Sequence, residues 1–586
     1  MKLSIPATLL AVLIGPSDLY AGTTVAFPAT FELSSLDGES GLKLNGSTRG
    51  DLSGASVSSA GDFNGDGIDD LIIGATDADP NGITSGESYV VFGGQGIGST
   101  RSFTLSELDG SNGFVLKGIG VGDRSGNSVA CAGDVNGDSF DDLIIGAYRA
   151  NPNGEDSGES YVVYGGPIVG ESGVFELSSL NGVNGFVIRG IGEDDYCGWS
   201  VSSAGDVNGD GFDDVILGAR NSDLESPEVS SYVGESYVVF GGVGTPGIVE
   251  LSALDGSNGF ALSKENAIVP LFNGTSVSDA GDINDDGFDD LIIGAHATHA
   301  NGAFSGESYV VFGATDIGSS GAFDLANLDG SDGFVLKGID AADFSGISIA
   351  SAGDVNGDGA NDLIIGASLA EPNGVESGES YVVFGGVGVG VGGVVNFSAL
   401  DGTNGFVLNG VDALDRCGNS VSSAGDVNGD GYGDLIIGAW LADAGGPESG
   451  ESYVVFGAPG VGATGVIELS ELDGSNGFVL NGIDAGDQCG KSVSSAGDID
   501  GDGVDDFVIG ANRAGLTSSA ERGESYVVFG RRSIDDPADL NGGGCVGSAD
   551  LAILLSAWDT PDADLDGDGT TNSADLSILL AAWDGC

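Results

Sequence analysis

The sequence predicts an all-β fold, a seven-bladed β-propeller, followed by a small helical domain at the C-terminus. Three observations carry this. A nine-residue acidic loop recurs seven times, each copy sits among the same four β-type runs, and the repeats begin and end in mid-unit. The first Asp of each loop falls at 62, 134, 206, 282, 354, 426 and 498, a period of 72 residues with one step of 76. A fixed period of this kind marks a repeat architecture.

The elements follow in order. In the second unit the expected strands are NSVACAGD (127–134), DDLIIGA (141–147), ESYVVYGG (159–166) and GFVIRG (185–190). They are rich in Val, Ile, Tyr and Phe, and Gly, Asn and Asp punctuate the turns between them. A short run, FELSSLDG and its relatives, precedes the last strand of each unit. Four antiparallel strands per unit, seven times over, fit a propeller. The coils of a parallel β-helix are far shorter than this period. The chain opens on a last strand, FELSSLDGESGLKLNG (31–46), and its repeats close on a third strand, ESYVVFG (524–530). Residues 31–46 are therefore expected to complete the final blade as its outer edge and so remove an open edge from the ring.

The loops read D-x-N-x-D-G-x-x-D. Calcium takes six to eight hard oxygens from a flexible loop. Positions 1, 3, 5 and 9 supply side-chain oxygens, position 7 its carbonyl, and Gly at 6 permits the sharp turn. The first loop offers Asp62, Asn64, Asp66, Ile68 and Asp70, and the second Asp134, Asn136, Asp138, Phe140 and Asp142. The third has Asp206, Asn208, Asp210, Phe212 and Asp214, and the fourth Asp282, Asn284, Asp286, Phe288 and Asp290. The fifth has Asp354, Asn356, Asp358, Ala360 and Asp362, and the sixth Asp426, Asn428, Asp430, Tyr432 and Asp434. The seventh, Asp498, Asp500, Asp502, Val504 and Asp506, carries a fourth carboxylate. Ser139 replaces the turn glycine in the second loop, which predicts strain and weaker binding there.

After Arg532 the period stops. DLNGGGCVGSADLAILLSAW (539–558) and DLDGDGTTNSADLSILLAAW (564–583) form a 25-residue duplication of a loop leading into a short helix. The second copy has EF-hand-type spacing, with Asp564, Asp566, Asp568, the carbonyl of Thr570, Asn572 and Asp575. The first has lost ligands at Gly543 and Gly547, so it should bind weakly or not at all.

Residues 1–21 read as a secretory signal and 22–30 as a linker, which predicts a secreted or cell-surface protein. A second linker spans 533–538 between the propeller (31–532) and the tail module (539–586). The net charge is −72, from 17 basic and 89 acidic residues. Nucleic acid is therefore excluded as a partner. No stretch after the signal is long and apolar enough to span a membrane. Six cysteines suit an oxidising compartment. Cys545 and Cys586 bracket the tail and are the expected pair, and Cys417 and Cys489, in adjacent units, could also pair. No catalytic constellation is evident. The only histidines, His296 and His299, form an HxxH without the Glu or third His of a zinc centre.

The repeats resemble the FG-GAP repeats of the integrin alpha-subunit propeller and of bacterial integrin-alpha-like secreted proteins. The matching residues are the acidic loops, the IIGA-type strand ends and the FGG closing each third strand, over about residues 31–532. The resemblance implies calcium in loops on one face of the ring and protein ligands on the opposite face. Residues after each second strand (Thr76, Tyr148, Arg220, His296, Ser368, Trp440, Asn512) would face that way. So would the variable fourth-to-first connections (Leu52, Arg124, Tyr196, Phe272, Phe344, Arg416, Gln488). Tyr148, Arg220, His296, Trp440, Tyr196, Phe272, Phe344 and Arg416 are the candidate ligand-binding residues. The tail resembles a type I dockerin, which implies a cohesin-bearing scaffold as its partner. Two functions follow: adhesion or binding of an extracellular protein or glycan by a calcium propeller, or an accessory or catalytic part in a polysaccharide-degrading assembly.

Overall fold

The computed structural model describes residues 27–222, 233–264, 271–515, 521–531, 548–558 and 571–581, with only the backbone described at 548–550, 574–575 and 581. The expected signal, most of the first linker, the second linker, Cys545, Cys586, Asp564, Asp566, Asp568 and Thr570 lie outside these residues, as does the Asp575 side chain. Two compact units are present, Phe27–Arg531 and a second that contains the tail.

In the first unit the strands form seven five-stranded sheets. Blade 1 shows the plan. Its strands Ser53–Gly61, Asp70–Ala75, Glu87–Val91 and Gly113–Lys117 pair antiparallel in chain order. Side chains alternate along a strand, and here both faces are buried between neighbouring blades. Leu71 and Ile73 pack on Val508 and Val527 of blade 7, while Ile72 packs on Leu143 and Ile145 of blade 2. The recurrent GESY phrase is part of this core. Its tyrosines, from Tyr89 to Tyr526, are at most 2% exposed, and each donates its hydroxyl to the Glu two residues earlier.

A belt of hydrogen bonds joins the innermost strands. The amide of Val57 donates to Ser492 Oγ of blade 7, Val129 to Ser56, Val201 to Ser128 and Val277 to Ser200. Ile349 donates to Ser276, Val421 to Ser348 and Val493 to Ser420, which completes the circle.

Ring closure follows the expected route with one correction. Gly41–Asn45 pairs antiparallel with Glu524–Val528 and completes blade 7. It is not the outer edge, however. Ser102–Thr104, from the FELSSLDG-type run, adds in parallel outside it. Every such run does the same, pairing with the fourth strand of the preceding blade, so each blade has five strands. Thr30–Glu32 accordingly joins blade 6, against Val479–Asn481. The physical reason is local. Each run is only three residues long before a 3-10 turn buries its next residue, Leu33 or Leu105 for example, so it can cap an edge but cannot make a hairpin. Expected strand 31–46 is thus two strands serving two blades.

Cys417 and Cys489 are not paired. Each is free and buried within its own blade interface, as is Cys197, and Cys131 is free and partly exposed. In the second unit, α1 (Ser548–Ser556) and α2 (Ser573–Ala581) approach one another, with Leu554 and Leu579 buried. Two nine-residue helices do not by themselves define a dockerin domain. No described helix is long and apolar enough to cross a membrane.

Candidate cation loops and the opposite rim

Each acidic loop connects the first and second strands of its blade, and all seven share one construction. The first Asp accepts the amide at position 6, from Gly67 (3.0 Å) through Ser139 (2.8 Å) to Gly503 (2.8 Å). The Asp at position 5 accepts the amide at position 7, as Asp66 does from Ile68 at 3.1 Å. The last Asp is the floor. Asp70, Asp142, Asp214, Asp290, Asp362 and Asp434 are fully buried and Asp506 nearly so. Each accepts an amide from the glycine after the third strand's aromatic residue, 2.8 Å from Gly93 and 2.7 Å from Gly530. That glycine is obligatory, since a Cβ on Gly93 would meet the Asp69 carbonyl oxygen at 2.1 Å.

No basic side chain is ion-paired to these loop carboxylates among the described residues. Burial, with the neighbouring carboxylates, pushes Asp70, Asp142, Asp214 and Asp290 up to about 8 and Asp362 to about 7, and holds Asp434 and Asp506 well above the usual range. Oxygens of Asp498, Asp500 and Asp506 lie within 4.8 Å of one another. Asn64 donates its amide to Asp70 at 3.1 Å. A half-turn of that amide would present its oxygen instead. Convergent hard oxygens around a buried, unneutralised carboxylate suit a divalent cation of the calcium type.

The backbone bears out the strain at Ser139, whose φ is +70°. Asp285 also sits at +61°, where the other loops have glycine at position 4, a second demand that the spacing did not reveal. A left-handed residue with a Cβ costs on the order of 1 kcal/mol. Ser139→Gly should therefore raise stability by about that amount, measured by denaturant melting.

Sequence reasoning also missed the residue at position 8. Asp141 of blade 2 reaches back and accepts the amide of Asp62 in blade 1 at 2.8 Å. Asp213 does so for Asp134, Asp289 for Asp206, Asp505 for Asp426, and Asp69 for Asp498 across the ring closure. Neighbouring loops are thereby clasped together. At the same position Asn361 and Gly433 provide no carboxylate.

The eight candidate ligand-binding residues lie at the strand ends away from the acidic loops. Tyr148 is 4% exposed and meets Tyr196 and Trp199 edge-on, so its ring is covered rather than open for stacking. Arg220 lies 3.4 Å over Trp199. His296 packs between Phe272 and Phe344, and Phe344 stacks on Phe304. Burial, assisted by Arg220, lowers His296 to about 4, so it is neutral at physiological pH. His299 instead meets Phe304 edge-on. Arg416 is ion-paired with Glu376 at 2.7 Å. Trp440 carries Lys491 4.4 Å from its ring centre. Trp199 and Lys491 were not foreseen, although both are the variable residue in the recurrent G-x-S phrase that opens each first strand.

A propeller with cation-type loops on one face and an aromatic, basic rim on the other is the class this geometry defines. The FG-GAP repeat family matches residues 53–91, 126–163, 198–239, 345–383, 418–455 and 490–528, one stretch in each of six of the seven blades. The chain is similar to integrin alpha chains. Integrin alpha-V of Gallus gallus is 30% identical over 240 residues, covering 40% of this chain and 19% of the relative. Integrin alpha-4 of Xenopus laevis is 32% identical over 183 residues, covering 31% and 16%. Integrin alpha-PS2 of Drosophila melanogaster is 28% identical over 190 residues, covering 31% and 12%. The chain thus spans less than a fifth of the length of each of these relatives.

Proposed function

We propose that this protein is an extracellular, calcium-stabilised recognition propeller that binds a ligand through the rim opposite its acidic loops, in an adhesion-type role. The observation that carries this reading is the contrast between the faces. The loops repeat almost unchanged from blade to blade, as a shared structural ion site would require. The opposite rim gathers Tyr148, Arg220, His296 and Trp440, which differ from blade to blade. Aromatics and arginines concentrated at a surface are the side chains that dominate recognition. Side chains of this kind favour binding over turnover. The duplicated tail, whose copies end in the matched helices α1 and α2, would serve as a docking or anchoring module, with Asn572 and Asp575 among its calcium ligands.

The test is a screen of extracellular proteins and glycans against the calcium-loaded chain, followed by the double change Arg220→Ala with Trp440→Ala. Loss of binding, about tenfold or more, is expected for a rim ligand. Unchanged affinity with intact melting and calcium content would move recognition elsewhere, and turnover of a bound polysaccharide would replace this reading with a catalytic one.

A further inference from the structure

Lys491 stands out on the rim. It is half-buried, its ammonium lies over the Trp440 ring, and it has no carboxylate partner among the described residues. Burial, with the neighbouring cations Arg416 and Arg513, lowers its pKa. Arg416 is already matched by Glu376, and nearby Glu448 is engaged by Gln488 at 3.3 Å. Trp440 Nε1 is buried without a hydrogen-bond partner among the described residues, and so is Oδ1 of Asn512, which follows the strand paired with the one that Lys491 leads into. A chain with 89 acidic residues and 17 basic ones has no shortage of carboxylates to place there. An unmatched, half-desolvated cation beside an unmatched N–H donor is costly unless something supplies the missing acceptor.

Resting on the rim as the recognition face, we infer that Lys491, Trp440, Arg513 and Asn512 form a subsite for a single carboxylate, presented by an Asp or Glu side chain of a protein ligand. The Lys491 ammonium and the Trp440 N–H would donate to its two oxygens, with Arg513 at the exposed margin. Asn512 joins by turning its amide nitrogen inward. The choice of a protein over an acidic polysaccharide has two grounds. The rim's aromatic faces are largely taken, Trp199 by Arg220, Trp440 by Lys491 and Phe344 by Phe304, which leaves little platform for a sugar ring. The chain's overall charge also repels any polyanion, whereas one carboxylate on an otherwise neutral surface meets only the local cations within a screening length of about 10 Å.

The test uses the full-length, calcium-loaded protein and blocked Gly/Ser peptides carrying one Glu, one Gln or one Lys at the same position, with polygalacturonate alongside. The Glu peptide should bind at least tenfold more tightly than the Gln peptide. That margin should vanish in Lys491→Met and Trp440→Phe and survive in Lys491→Arg, with melting and calcium content unchanged throughout. Equal binding of the Glu and Gln peptides, or a margin untouched by Lys491→Met, overturns the subsite. Preference for polygalacturonate that is lost in Lys491→Met overturns the protein assignment. A ligand from the wider screen that loses affinity in Arg220→Ala with Trp440→Ala but keeps it in Lys491→Met leaves the rim as the recognition face and removes only the carboxylate subsite.

Discussion

Removing calcium at neutral pH should lower the melting temperature of the propeller by on the order of 20 °C. Each loop held at 100 times its dissociation constant contributes about 2.7 kcal/mol, and seven such loops rival the 5–15 kcal/mol that ordinarily separates a folded domain from its unfolded chain. The ion-free protein has a further signature in pH. Its floor carboxyls, Asp70, Asp142, Asp214 and Asp290, titrate near 8 when folded and near 3.8 when unfolded. Asp415 and Asp487 on the opposite side of the blades are raised to about 7 by burial and nearby acids. The folded state therefore holds more protons across this window, and stability must fall as pH rises from about 4 to 8. Bound calcium removes the loop share of this effect by favouring the ionised form of the floor carboxyls, and leaves the share of Asp415 and Asp487 in place. Calorimetry in chelator should accordingly show higher melting at pH 5.5 than at pH 8, and in excess calcium that difference should shrink markedly. Identical melting with and without chelator at pH 8 contradicts this.

Deleting residues 27–46 should be the most damaging truncation. The segment supplies Gly41–Asn45, whose Leu42 and Leu44 are fully buried between blades 7 and 1. It also supplies Phe27 and Phe31, which fill the interface of blades 6 and 7, with Phe27 stacked on Phe478 at 4.3 Å. Removing it strips an antiparallel partner from Glu524–Val528 and leaves that strand as an open edge. Aggregation or loss of cooperative unfolding is expected, read by light scattering and by the width of the thermal transition. Leu44→Ala alone should cost about 2–5 kcal/mol. A truncated protein that melts like the full chain would mean that closure does not depend on this strand.

The architecture was legible because every blade obeys the same local rules. Period, strand composition and the mid-unit start of the chain led to seven blades and to closure by residues near 41–45. What stayed hidden depends on contacts between blades. A run such as VFELSSL looks like the start of its own blade's last strand, and only packing shows Val174–Glu176 pairing outside the previous blade. Asp141 looks like one half of a DD pair beside a ligand, yet its carboxylate serves the neighbouring loop. Cys417 and Cys489 occupy like positions in adjacent blades, but each points into its own blade interface. The aromatic rim was traced only in part. Tyr148 and Arg220 follow an invariant strand end, whereas Trp199 and Lys491 sit inside a phrase whose constancy drew attention away from its one variable position.

The central claim is that the seven loops hold calcium and that this holds the ring. Equilibrium dialysis of the full chain against radioactive calcium tests it most directly, repeated after all seven floor aspartates (Asp70, Asp142, Asp214, Asp290, Asp362, Asp434 and Asp506) are changed to Asn. At least seven ions per chain should bind the parent protein, and seven fewer should bind the variant. No calcium bound, or the same number bound by both proteins, would contradict it.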